Sequence, residues 1–222
     1  MINTKTISEQ LYETLRDKII NNEISPGTKI DFDSLLKNYN VSKTPIKTAL
    51  TKLEFEGLVT IKHRSGSYVS IPSVKQIIDT YELRQAIEWK AVQLAIPNIQ
   101  NEEIIQLKKK VEKAEENIMK DDYTLFFTSD VDLHEVICNY SYNDQLIKVK
   151  KMIDHQMHWF RVLGATGQHR AMKSSKRHKE ILDAMLNRDS DTAASVLSLH
   201  IDEVKEAVIA DIKSNYIDTD NR

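Results

Sequence analysis

From Val74 onward the chain repeats one pattern, apolar residues at helical spacing, with little to interrupt it. Six segments carry it: Val74 to Ile96, Asn101 to Lys120, Asp122 to Tyr140, Asn143 to Leu163, Gln168 to Arg188, and Asp189 or Ser190 to about Asn215. The whole chain of 222 residues holds only 5 Gly and 4 Pro, so the breakers that punctuate an all-β sequence are missing and the class is mainly α. At 41% hydrophobic residues the chain can fill real cores, and its length suits two modest domains.

The front differs from this pattern. Thr6-Ile7-Ser8-Glu9 has capping-box spacing, and Leu11, Leu15, Ile19 and Ile20 continue an apolar stripe, which predicts a first helix. After the Pro26-Gly27 turn, Ile30, Phe32, Leu35, Leu36 and Tyr39 predict a second, shorter helix ending near Asn40. Ser42 is a good N-cap and Pro45 falls in a first turn, so a third helix starts at Lys43. Ile46, Ala49, Leu50, Leu53 and Phe55 are expected on its buried side, and Lys43, Thr44, Lys47, Thr48 and Thr51 on its exposed side. Lysines at the positive end of a helix dipole suit phosphates. Gly57 ends this helix, and LVTI and YVSI then flank His63-Arg64-Ser65-Gly66-Ser67 as a hairpin with a basic tip. Two short helices and a basic wing are what a winged helix-turn-helix requires. Ile71-Pro72-Ser73 breaks the pattern, which places the domains at 1–71 and 72–222.

Charge and cysteine use narrow the classes further. Residues 1–70 carry 10 Lys+Arg against 8 Asp+Glu and the remainder 21 against 25, so positive charge gathers at the front, and the net −2 argues against a generic nucleic-acid coat. Cys138 is the single cysteine, which excludes a disulfide framework within the chain. No apolar run approaches the ~18 residues of a membrane helix, so a cytoplasmic protein is expected.

In the rear, polar residues fall on apolar stripes. Asp130 and His134 share a helix face with Phe126, Phe127, Leu133 and Ile137; His178 precedes Ile181, Leu182 and Met185; His200 sits between Leu197 and Val204. Three inward imidazoles and a carboxylate that converge in a bundle core make a site for a divalent metal with open positions, although any one alone reads as a hydrogen-bonded core residue. His63, His155, His158 and His169 fall outside the set, and His155 with His158 reads as a helix surface. Tyr81, Arg84, Glu88, Ala91 and Ala95 share one side of the first rear helix, so a buried Arg84 must pair either with Glu88 as structure or with the carboxylate of a bound effector.

Ser25-Pro26-Gly27-Thr28, Val41-Ser42-Lys43-Thr44-Pro45-Ile46-Lys47, Ala49-Leu50, Leu53-Glu54, Glu56-Gly57-Leu58-Val59 and Gly66-Ser67-Tyr68-Val69 follow one another as a winged-helix signature. Over nearly its whole length the chain resembles the GntR family of bacterial transcription regulators, in its FadR-like branch with a C-terminal six-helix FCD domain. The resemblance implies DNA contacts from Ser42, Lys43, Thr44 and Lys47 of the recognition helix and from His63, Arg64 and Gly66 of the wing. It departs where Lys43 and Lys47 stand for the family's arginines, Thr48 for an acidic residue and Asp33 for a residue that is basic in some relatives. Lysine keeps the charge but loses the fork that reads guanine.

The rear motifs are similar to the FCD pattern in Tyr81-Glu82-Leu83-Arg84-x-x-x-Glu88, Asp130-x-x-x-His134, His178 after Ser174-Ser175-Lys176-Arg177, and His200 after Asp191-Thr192-Ala193-Ala194. By that resemblance Asp130, His134, His178 and His200 are metal ligands, zinc foremost with nickel or manganese as alternatives, and Arg84 contacts the effector. The expectation is a homodimeric, sequence-specific regulator and no enzyme. It would be a repressor as in most of the family, with a pseudo-palindromic double-stranded operator and a small organic-acid effector. The rivals are a metal-dependent hydrolase and a DNA-binding regulator with a metal-free rear domain.

Overall fold

The computed structural model describes residues 5–164 and 167–217. Its front elements are α1 (Ile7–Ile20), α2 (Phe32–Tyr39), α3 (Lys43–Phe55), β1 (Val59–Lys62) and β2 (Gly66–Val69). Six long helices follow: α4 (Val74–Ala95), α5 (Asn101–Ile118), α6 (Thr124–Tyr140), α7 (Asp144–Leu163), α8 (Gln168–Leu186) and α9 (Ser190–Ile212), the last continued by a π-helical turn over Lys213–Ile217. The described residues form two compact units. One gathers those of Met1–Val74, His155–Gly164 and Asp211–Arg222, and the other those of Lys75–Asp154 and Ala165–Ala210, so the units differ from the two sequence segments in where the ends of α7 and α9 belong.

In the front unit the Thr6 hydroxyl accepts from the Glu9 amide while the Glu9 carboxylate takes the Thr6 amide at 2.7 Å, the reciprocal box that starts α1. Asp31 caps α2 by accepting from the amides of Asp33 and Ser34, and Asn40, left-handed at φ 48°, ends it. Helix α3 starts at Lys43, and Ser42 occupies the extended N-cap position, but its hydroxyl makes no capping bond. Leu11, Leu15 and Ile19 of α1 and Ile46, Ala49, Leu50 and Leu53 of α3 are buried where the two helices pack. Phe55 corrects the sequence reading: it is 85% exposed. It lies two residues beyond Leu53, roughly 200° round the helix, which turns it off the buried stripe.

The hairpin pairs Val59 with Val69 through Lys62 with Gly66, leaving His63, Arg64 and Ser65 as its turn. Arg64 stands at φ 60° and Gly66 at φ 123°, where a Cβ would meet the Lys29 side chain at 3.0 Å. Ile30 was expected with α2 and instead lies along β2: the amide of Ile30 donates to Ser67 O and that of Val69 to Thr28 O, both at 2.9 Å. Those bonds extend the wing's edge before α2 begins.

In the rear unit α5 packs on α6 and α8. Ala114, Ile118, Phe126 and Ala171 form one buried cluster there. The Pro97 interruption between α4 and α5 is held by Arg188, whose guanidinium donates to the carbonyl oxygens of Ile96 and Ile99 and to Asn101 Oδ1. The run Lys108-Lys109-Lys110 lies on an outer face of α5, with Lys108 paired to Asp183 and Lys110 to Asp132.

Candidate metal centre and nucleic-acid interface

One turn of α6 separates Asp130 from His134, so both project from the same buried face; α8 supplies His178 and α9 supplies His200. All four are buried, His178 completely, and each offers one donor atom within 4.8 Å of the others. His178 Nε2 lies 3.3 Å from both Asp130 Oδ1 and His200 Nε2, and His134 Nε2 lies 3.7 Å from Asp130 Oδ1. The sequence places these residues on three helices, and the fold brings them to one point.

The donor set fits a divalent cation. His134 binds Glu88 through Nδ1 at 2.5 Å, and its Nε2, buried inside the cluster, has no hydrogen-bond partner among the described residues. An imidazole acceptor left bare in a protein interior carries a desolvation cost unless something electropositive meets its lone pair. Three nitrogens and one carboxylate oxygen are the hard-to-borderline ligands that zinc, nickel or manganese accept.

Charge in the cluster is set by burial and by Arg84. Burial pushes the His200 pKa well down, and the neighbouring His178 and His134 rings act in the same direction. Burial also lowers His134, against the opposing pull of Glu88. Both shifts favour the neutral imidazole, the form a metal needs. Burial would raise Glu88, but Arg84 and then His134 overcome it and hold the carboxyl at about 2. Burial works against the Arg84 charge, and the carboxylates of Glu88 and Asp130 more than restore it.

A pH dependence follows for the metal-free protein. His134 and His200 titrate below 6.5 when folded and near 6.5 when unfolded, so the unfolded chain takes up protons first as the pH falls. Their contribution to stability is fully present above about 6.5 and is lost on acidification. Urea unfolding at pH 7.5 and 5.5 in a chelator should give a lower midpoint at 5.5. Glu88 acts in the same direction only below its unfolded value of 4.5, outside that window.

Arg84 donates from Nε to Glu88 Oε1 at 2.8 Å, and both side chains are buried. Sequence spacing offers that pair as one of two alternatives, the other being an effector carboxylate. It did not anticipate that the second oxygen of Glu88 holds His134, 46 residues away. His169, set aside in the sequence reading, lines a cleft of about 190 Å³ with Arg170, Lys173, Ser174, His200 and Glu203.

In the front unit Ser42, Lys43, Thr44 and Lys47 are exposed on the first turns of α3, where no acidic residue stands. His63, Arg64 and Gly66 are exposed at the wing tip. Lys43, Lys47 and Arg64 enter no ion pair among the described residues. The remaining histidines stand apart: His155 Nδ1 lies 3.8 Å from Glu56 Oε2, and His158 Nε2 lies 3.0 Å from Asn21 Oδ1. Both are half-buried rather than on an open helix surface.

Residues 79–203 match the FCD domain family, and residues 7–69 match the family described as bacterial regulatory proteins, gntR family. The chain is 28% identical over 192 residues to the uncharacterized HTH-type transcriptional regulator YdhC of Bacillus subtilis (strain 168), covering 86% of each. It is 27% identical over 212 residues to the HTH-type transcriptional repressor RspR of Escherichia coli (strain K12), covering 92% of this chain and 90% of that one. The solved structure of McbR/YncC from E. coli superposes with a TM-score of 0.68 at 16% identity, over 96% of this chain and 100% of that one, a likeness of fold.

Proposed function

This chain belongs to the GntR-type DNA-binding transcription regulators that carry an FCD domain, and from that premise we propose that a small organic acid bound at a metal in the FCD domain controls its affinity for an operator. Asp130, His134, His178 and His200 would hold the metal, which when bound supplies a Lewis-acidic point for a carboxylate oxygen. The observation that carries this reading is the buried, partnerless Nε2 of His134 among three other donor atoms. The bond of Arg84 to Glu88 uses Nε, and the two terminal amino groups of the fork would take the acid's carboxylate.

The exposed lysines of α3 and the basic wing would engage a double-stranded, pseudo-palindromic operator as a homodimer, with repression as the resting state and cytoplasm as the setting. None of the described helices is long and apolar enough to cross a membrane. An acid that binds one arrangement of the dimer better shifts the balance between arrangements and with it the spacing of the recognition helices. A hydrolase is excluded by the family, whose members regulate transcription. Elemental analysis of zinc-supplemented protein tests the metal half: one ion per protomer is expected, and a clearly substoichiometric content would favour a metal-free bundle.

A further inference from the structure

Glu88 is wholly buried on α4 and is held from both sides. Arg84 Nε donates to Oε1 at 2.8 Å and His134 Nδ1 lies 2.5 Å from Oε2. A guanidinium has donors only, so Oε1 must accept. A carboxylate facing a buried guanidinium is ionised, and an ionised carboxylate accepts at both oxygens, so the hydrogen between Glu88 and His134 sits on Nδ1. The lone pair of that imidazole is then at Nε2, the atom 3.7 Å from Asp130 Oδ1.

We propose that Glu88 is a positioning residue that, anchored by Arg84, fixes His134 in the tautomer whose Nε2 faces the cluster of Asp130, His178 and His200. The proposal rests on the metal-site reading above, and it gives the pair Arg84–Glu88 a role besides filling the core. Carboxylates that receive the second nitrogen of a ligating histidine orient the ring and raise its basicity. Here the same carboxylate also aligns Arg84, so one side chain would link the metal and the cation expected to meet the effector.

The test is Glu88→Gln in the full chain. The amide has one accepting oxygen and one donating nitrogen, whereas both facing groups are donors. Arg84 cannot switch, so the amide nitrogen turns to His134, whose Nδ1 must accept, and the hydrogen moves to Nε2. In metal-free protein labelled with 15N-histidine, two-bond NMR correlations should show His134 as the Nδ1–H tautomer in the wild type and as Nε2–H in the variant. Zinc affinity, measured by chelator competition, should fall about 10–100-fold. Finding the Nε2–H tautomer in the wild type, or unchanged zinc affinity in a folded variant, would overturn the proposal. Should the variant fail to fold, the wild-type tautomer decides alone. A wild type that binds no zinc would instead sink the metal reading, while its tautomer still tests the Glu88 assignment.

Discussion

His134→Ala is expected to cost the protein its metal while leaving the front unit folded. Four protein ligands together hold structural zinc with about 10–16 kcal/mol, which assigns roughly 2.5–4 kcal/mol to each, so removing one lowers affinity by about two to three powers of ten. Zinc titration against a chromophoric competitor measures this directly. The side chain is buried and bonded to Glu88, so its loss also leaves a space and a carboxylate oxygen without its partner. Circular dichroism should still report the helices, because Ala114, Ile118, Phe126 and Ala171 keep an apolar cluster between α5, α6 and α8. Full retention of stoichiometric zinc by this variant would remove His134 from the ligand set.

The second large effect concerns α3. Lys43 and Lys47 are exposed, unpaired among the described residues and near the positive end of the helix. Each lost phosphate contact lowers the salt slope by about 1, so Lys43→Ala with Lys47→Ala should weaken binding to the protein's own upstream DNA and reduce the salt slope by about 2. Replacing either by Arg should alter site preference as well as strength, since only the guanidinium fork reads guanine at two points. A uniform change across all operator variants would assign the lysines to phosphate alone.

Local rules made much of the architecture readable in advance. The Thr6–Glu9 box, the start of α3 at Lys43 and the wing around Gly66 each depend on residues within a few positions of one another, where side chain and backbone meet regardless of what packs later. The four buried donors were legible for a related reason: a polar residue on an apolar stripe declares its direction, though its distance to the others must come from the fold. Errors arose where a local preference had competition. The Ser42 hydroxyl leaves the amides of α3 uncapped, and Ile30 exchanges a helical start for backbone bonds along β2. Apolarity favours burial of Phe55, but its angular position sets it outside the stripe and leaves it exposed. Glu88 meeting His134 was beyond any spacing rule, because α4 and α6 are brought together by the bundle and the sequence between them carries no register.

Coupling between the acid site and DNA is the central claim, and titration of the zinc-loaded protein on its own promoter fragment with a panel of two- to six-carbon carboxylates tests it most directly. At least one acid should shift the DNA affinity of the wild type fivefold or more, the lower end of ordinary allosteric coupling at about 1 kcal/mol, and the same acid should leave His134→Ala unmoved. No shift beyond twofold with any acid, or an equal shift in His134→Ala, would contradict the account.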